Sequence, residues 1–110
     1  MSNNKLNQRE KTANSIVKKL TKNPLAFLLK QDAILNEFGG EPILSYTKKG
    51  NFIAIKCVDE SRFIVAVSDK NGKTGGDDIE IAIGFSEQLS TLMHLMYEDT
   101  FLNVDVDAAA

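Results

Sequence analysis

Residues 69–78, DKNGKTGGDD, have the residue types of a phosphate or calcium site. Gly72-Lys73-Thr74 matches the end of a phosphate-binding loop, in which backbone amides and a lysine hold a nucleotide. That motif also needs a glycine five residues before Gly72 and a helix directly after the loop. Val67 occupies the glycine position and a strand pattern follows. Both the spacing and the context therefore argue against a nucleotide site.

The same segment has part of the pattern of a calcium-binding loop. Counted from Asp69, oxygen-bearing side chains fall at positions one, three, nine and twelve of such a loop: Asp69, Asn71, Asp77 and Glu80. Position five is Lys73, a cation, and position six is Thr74 instead of the required glycine. Asn71-Gly72 is a favoured turn pair, so we interpret the segment as a solvated hairpin loop and predict no metal and no cofactor.

The chain has one histidine, His94, and one cysteine, Cys57. A single imidazole excludes a metal site built from several histidines. Cys57 lies in the apolar run FIAIKCV, which indicates a small buried thiol, and nothing in the sequence brings it to an open cleft with His94. Paired carboxylates sit beside turns or helix ends, where solvated acids are common: Asp77 with Asp78, and Glu98 with Asp99. We therefore predict no catalytic residues and no enzyme.

Charges are divided unevenly along the chain. Residues 1–30 carry seven Lys and Arg and one Glu, whereas residues 31–110 carry six Lys and Arg and fourteen Asp and Glu. Such a division indicates either an arm that contacts an anionic partner or a basic helix that lies against an acidic body.

A first helix is predicted over residues 13–21. Its apolar side chains repeat at spacings of three and four: Ala13, Ile16, Val17 and Leu20. Lys18 and Lys22 lie four apart at its polar side, Lys19 adjoins them, and Lys11 extends the same side. This surface predicts either a solvated helix face or a salt-sensitive contact with nucleic-acid phosphates. Base recognition is not expected, since the sequence shows no arginine fork and no pair of exposed aromatics on the sheet.

A second helix is predicted over residues 24–38. Asn23 can accept hydrogen bonds from the free amides of its first turn, and Pro24 fits the first helical position. The run LAFLLKQDAILNEF then presents a broad apolar face. Gly39-Gly40 ends the helix, because glycine takes the left-handed conformation without steric cost. The two helices are expected to meet at a tight corner.

Beyond Pro42 the apolar period changes to two, which predicts an antiparallel meander of four strands. The strand sequences are ILSYTK, FIAIKCV, RFIVAVS and IEIAIGF, at residues 43–48, 52–58, 62–68 and 79–85. Both faces of the second and third are largely apolar, so we expect these strands to be central. The fourth strand has Ile79, Ile81, Ile83 and Phe85 on one face and Glu80, Ala82 and Gly84 on the other. We expect its isoleucine face to be buried and the other face to be wet.

A last helix is expected after Ser86, whose side chain can cap it, with Glu87 in the first turn. Its apolar stripe should pack on the sheet: Leu89, Leu92, Met93, Met96 and Tyr97. The order is therefore ααββββα, in the α+β class. We predict a single domain over residues 13–102, a flexible segment at 1–12 and a flexible acidic tail at 103–110.

The composition, 43% hydrophobic and 25% charged over 110 residues, is typical of one globular domain. A single cysteine fits a reducing compartment, and we find neither a secretory signal nor the roughly 20 apolar residues that a membrane span needs. We therefore expect a cytoplasmic protein without membrane contact. A second copy of so small a domain would help to cover its surface, so a homo-oligomer is also considered.

Apolar residues near the C-terminal end remain as a candidate contact site: Met93, Met96, Tyr97, Phe101 and Leu102. Either they complete the core or they face a partner protein or a second copy. The sequence predicts a small non-catalytic binding module that acts by protein–protein contact, as an adaptor, inhibitor or antagonist does. The alternative is a nucleic-acid-associated protein that uses the lysines of the first helix.

Overall fold

The structure, a computed structural model, describes residues 3–68 and 79–102. Within these ranges the chain forms three α-helices and a five-stranded antiparallel sheet. The helices are α1 (Asn3–Lys22), α2 (Pro24–Gln31) and α3 (Glu87–Tyr97), followed by one π-helical turn at Glu98–Leu102. The strands pair in chain order and are β1 (Ile34–Phe38), β2 (Glu41–Lys48), β3 (Asn51–Cys57), β4 (Arg62–Ser68) and β5 (Glu80–Phe85). The α+β class is confirmed, with five strands instead of the predicted four.

Strand β1 occupies the second half of the predicted helix 24–38. Helix α2 ends at Gln31, because Asp32 adopts the left-handed conformation with φ 53° and ψ 39°. The prediction of one helix over the whole segment is therefore wrong. The sequence ILNEF is too short to show whether its apolar residues follow a helical or a strand period.

Gly39 and Gly40 form a hairpin turn between β1 and β2. Phe38 pairs directly with Glu41, which leaves the two glycines as a two-residue loop. Their φ angles are 62° and 81°, the positive values that the tightest hairpin turns require at both positions. Glycine is thus needed here, as predicted, but to reverse a strand and not to end a helix.

The two predicted helix caps are confirmed. The Asn23 side chain accepts a hydrogen bond from the Ala26 amide at 3.2 Å, and the Ser86 hydroxyl accepts one from the Leu89 amide at 3.1 Å. These bonds satisfy amides that the first turn of a helix leaves without partners. Helix α1 differs from the prediction in length, since it begins at Asn3 and not at residue 13.

The helices that the structure describes pack on one face of the sheet. The core consists of buried residues from this face and from all three helices: Ala13, Ile16, Leu20, Phe27, Leu28, Leu44, Tyr46, Ile53, Ile55, Phe63, Val65, Val67, Ala82, Leu89 and Met93. β3 and β4 lie inside the sheet, as predicted from their two apolar faces. The stripe of α3 packs on the core through Leu89 and Met93, which also confirms the prediction for that helix.

The face of β5 that meets α1 is the one with the small side chains. Gly84 is buried against the helix, whereas Ile81 and Ile83 are 58% and 62% exposed. The expectation that the isoleucine face is buried is therefore wrong. A β carbon at Gly84 would collide with the ring of Phe63 and lie 2.7 Å from Cγ1 of Val17. Only a residue without a side chain lets α1 come this close.

Gly84→Ala should lower the free energy of unfolding by about 1–3 kcal/mol, because the added methyl group overpacks the contact with Phe63 and Val17. Urea unfolding followed by circular dichroism measures this change. Val17→Ala in the same background should recover part of the loss, since it removes one of the colliding groups. Ser45→Ala, on the opposite face of the sheet, is the control and should change little. A Gly84→Ala protein as stable as the wild type would contradict the close contact.

Asp59 holds the turn between β3 and β4. Its carboxylate accepts hydrogen bonds from the Ser61 amide at 3.0 Å and the Arg62 amide at 2.8 Å. Its Oδ2 also accepts from Nε of Arg62 at 2.8 Å. These bonds, first of all the one from the Ser61 amide, lower the pKa of Asp59 to about 2. The ionised form is thus favoured in the folded state.

Because the pKa of Asp59 is lowered on folding, its contribution to stability is present above about pH 4 and is lost as the pH falls through about 2. Asp59→Asn should flatten the dependence of the unfolding free energy on pH between these values. Urea unfolding at a series of pH values measures the slope. Glu60→Gln, at the next residue of the turn, should leave the slope closer to that of the wild type. Equal slopes for wild type and Asp59→Asn would count against this assignment.

Candidate functional site

The face of the sheet opposite the helices is the largest uncovered feature of the described chain. The register places the following side chains on it, and we name this set the open face: Ile34, Asn36, Phe38, Glu41, Ile43, Ser45, Thr47, Phe52, Ala54, Lys56, Arg62, Ile64, Ala66, Ser68, Ile81, Ile83 and Phe85. Ten of these seventeen side chains are apolar. An antiparallel sheet covered on one side usually carries polar residues on the other. A face that contacts only water would be expected to carry fewer apolar side chains than the open face does.

Both edges of the open face are strongly exposed. Its most exposed large side chains are all more than half accessible: Ile34, Phe38, Ile81, Ile83 and Phe85. Five strands about 4.8 Å apart and about six residues long cover roughly 24 by 20 Å in projection, or about 500 Å². The largest apolar patch of a soluble monomer is usually about 300–600 Å² and is often a contact surface, and the apolar part of this face lies within that range.

The charges on and beside the open face are paired within the chain. Nζ of Lys56 lies 3.3 Å from Oε2 of Glu41, which the register places on the same side of the sheet. At the corner near Phe85, the Arg62 guanidinium lies 2.8 Å from Oδ2 of Asp59. The face therefore presents an apolar surface whose few charges are already neutralised.

Exposed aromatics on the sheet were not expected, and the open face corrects this. Phe38, Phe52 and Phe85 are exposed there. They lie on β1, β3 and β5, so no two of them occupy neighbouring strands. Adjacent bases could not stack on two of these rings as they do on a paired aromatic platform. The sequence missed these side chains because their exposure depends on which face of each strand the helices cover.

The predicted C-terminal contact residues divide by burial. Met93 is fully buried in the core and offers no surface to a partner. Met96, Tyr97 and Phe101 are half-buried, and the rings of Tyr97 and Phe101 lie 5.2 Å apart at 39°. The side chain of Leu102 lies outside the described residues. A role in partner binding stays a prediction for this cluster, of which Met93 packs inside the protein.

The four predicted basic residues all lie exposed on α1: Lys11, Lys18, Lys19 and Lys22. Lys11 and Lys19 line a cavity between the helices and the β2–β3 hairpin, whereas Lys18 and Lys22 lie outside it. Nζ of Lys19 lies 5.8 Å from the centre of the Phe27 ring, a cation–π geometry. The helix thus separates its lysines into two groups with different surroundings.

Cys57 and His94 line one cavity of about 270 Å³, which the sequence analysis did not predict. The Cys57 thiol lies 3.3 Å from Sδ of Met93. Burial is the main cause that raises the pKa of Cys57, and a hydrogen bond with Ser90 opposes it. A raised pKa keeps the thiol protonated at neutral pH, and the protonated form is a poor nucleophile.

Several predictions fall on residues outside the described ranges. The segment 69–78 is among them, so the turn that we assign to it, and the nucleotide and calcium sites weighed there, stay untested. In residues 3–68 and 79–102, no three side chains of His, Cys, Asp or Glu are grouped so that they could hold a metal ion. None of the helices described is both long and apolar enough to cross a membrane.

No protein-family model matches this chain, and neither a curated protein nor a solved structure matches it. Its function is therefore inferred from its own geometry.

Proposed function

We propose that the protein is a small non-catalytic module that acts by protein–protein contact through the open face of its sheet. The observation that carries this proposal is the apolar open face, which no described helix covers. The protonated Cys57 thiol supports a non-catalytic role, because a thiolate would be needed for nucleophilic chemistry at that cavity. A single half-buried cysteine also fits a cytoplasmic, reducing environment.

A second copy of the chain is the occupant that charge and area favour. The pairing of Lys56 with Glu41 leaves no unbalanced charge at the middle of the face to repel an identical face. Two open faces together amount to about 1,000 Å² in projection, where specific interfaces begin. Stacked sheets pack about 10 Å apart with interdigitating side chains, an arrangement that would bury the exposed isoleucines.

A copy of the chain is also present wherever the chain is made. It can therefore cover the apolar face at all times, which a scarcer partner cannot do. In such a dimer, helices α1, α2 and α3 lie on the two outer sides. An adaptor, inhibitor or antagonist would use these outer surfaces, including the half-buried Tyr97 and Phe101, for a further protein.

Ile83→Lys should weaken the dimer by about 2 kcal/mol, roughly thirtyfold, because it places an unpaired charge inside the proposed interface. Sedimentation equilibrium over protein concentrations from about 1 to 100 µM measures the dissociation constant. The variant should stay folded, since Ile83 is exposed in the single chain.

Leu29→Lys is the matched control for this experiment. Leu29 is also a large exposed apolar residue, but it lies on α2 and away from the open face. The same change in charge there should leave the dissociation constant unaltered. A wild-type chain that is monomeric at about 100 µM would refute the dimer, and so would equal weakening by the two substitutions.

The alternative proposal is contact between the lysines of α1 and nucleic acid. It is supported by the exposure of Lys11, Lys18, Lys19 and Lys22 along one helix. The exposed aromatics give it little support, because they lie on the open face, on the opposite side of the sheet from α1. One strand of nucleic acid could not use both surfaces together.

Replacement of Lys18, Lys19 and Lys22 by Glu should abolish retention on single-stranded DNA or RNA at about 50 mM salt, if this alternative holds. Fluorescence anisotropy with a labelled oligonucleotide measures binding, and circular dichroism checks the fold. Lys30→Glu, on α2, is the control and should keep most of the binding. The alternative is wrong if the wild type does not bind or if the triple variant binds equally well.

A further inference from the structure

A cavity of about 290 Å³ lies between α1, α2 and the β2–β3 hairpin. Lysines line it on two sides: Lys11 and Lys19 come from α1, and Lys48 and Lys49 come from the hairpin. Among the described residues, no Asp or Glu lines the cavity. The chain as a whole has a net charge of −2, so this concentration of positive charge is local.

The contacts of these lysines leave their charges without a carboxylate partner in the described part of the chain. Lys19 lies over the ring of Phe27, and Nζ of Lys48 donates a hydrogen bond to the neutral Oε1 of Gln31 at 3.3 Å. Four ammonium groups around one cavity repel each other and raise the local positive potential. An anion in the cavity would relieve this repulsion.

One wall residue of the cavity, Tyr46, carries a hydroxyl without a partner. Tyr46 lines the cavity and is 94% buried, since only 6% of its surface is exposed. Its Oη is buried and has no hydrogen-bond partner among the described residues, which destabilises the folded protein. Burial also raises the pKa of Tyr46 to about 12, so the hydroxyl stays protonated at neutral pH and remains a donor.

The remaining walls determine the size and character of a ligand. Phe27, Tyr46 and Ile53 give the cavity an apolar side, and the rings of Phe27 and Tyr46 meet edge to face at 6.3 Å. Small-molecule sites combine such apolar walls with a few convergent polar groups. The volume admits one ring or a short chain together with an anionic group, and excludes a large cofactor.

We propose that this cavity binds a small organic phosphate, with the phosphate among Lys11, Lys19, Lys48 and Lys49 and the apolar body against Phe27 and Tyr46. A phosphate monoester carries close to two negative charges and three acceptor oxygens, which suits several ammonium groups. Entry of the ligand brings it into contact with the Tyr46 hydroxyl, which then donates to it and gains the partner that the described residues do not supply.

This site is separate from the proposed dimer contact. The cavity lies on the helical side of the sheet, and none of its named lining residues belongs to the open face. Ile83→Lys should therefore leave ligand binding unchanged, and the cavity variants should leave the dimer unchanged. The dimer proposal and the ligand proposal can therefore fail independently of each other, and the two sets of variants show which one has failed.

Phenyl phosphate is the probe, because it joins one aromatic ring to a phosphate monoester. Titration of the ¹⁵N-labelled full chain should give saturable shifts at the amides of Phe27, Tyr46 and Ile53. Phenol should give weaker shifts, since it lacks the charge, and inorganic phosphate should bind more weakly than phenyl phosphate, since it lacks the ring. Absence of saturable shifts with phenyl phosphate up to about 10 mM would overturn the proposal.

Matched pairs of lysines on one helix test the position of the site. Lys11→Gln with Lys19→Gln should weaken phenyl phosphate binding by about tenfold. Lys18→Gln with Lys22→Gln makes the same change in charge on α1 outside the cavity and should weaken binding by less than about twofold. Equal weakening by both pairs would show a diffuse electrostatic effect and would overturn a defined site.

Tyr46→Phe tests the hydroxyl and should weaken binding by about fivefold without unfolding the chain. Unchanged affinity in this variant would overturn the role given to Tyr46. A single-stranded oligonucleotide distinguishes the two sources of phosphate. If it binds while phenyl phosphate does not, and if both lysine pairs reduce its binding equally, the helix contacts nucleic acid and the small-molecule site is refuted.

Discussion

Helix α1 contacts the sheet at Gly84, where Cγ1 of Val17 and the ring of Phe63 occupy the space that a β carbon would need. This contact decides which face of β5 points to the core. Successive side chains of a strand point to opposite faces, so Ile81 and Ile83 must then point away from the helices. Burial of each is worth about 1.5–3 kcal/mol, which is gained only when a surface outside the described residues covers them. The apolar open face is therefore a consequence of close helix packing.

Sequence patterns located those elements whose signals are local. The caps at Asn23 and Ser86 each depend on an amide three residues away, and the alternation in β3 and β4 is visible within seven residues. The patterns gave a wrong prediction where a contact with a residue distant in sequence decides which face of a strand is buried. Nothing within β5 shows that Val17 needs the space at Gly84, and the larger side chains of the strand indicated the opposite orientation.

The candidate sites were predictable only in part, for the same reason. The lysines of α1 could be placed on one helix from their spacing. Their division into two groups could not, because it depends on Lys48 and Lys49, which the hairpin turn brings beside Lys11 and Lys19. The half-buried cavity shared by Cys57 and His94 likewise depends on packing between β3 and α3. The sequence shows which charged and nucleophilic side chains the chain has, whereas tertiary contacts determine which of them lie together.

The order of the sheet has a consequence for the way in which the chain acquires its shape. Each strand pairs with the next along the chain, so the meander can grow through short-range closures, which are fast. Helix α1 is the exception, since it precedes all five strands in the chain but docks on the last two, β4 and β5. During translation, α1 cannot dock until β5, which ends at residue 85, has left the ribosome and paired with β4. Its apolar side, at Ile16 and Leu20, is the part of the nascent chain that a chaperone would find uncovered for the longest time.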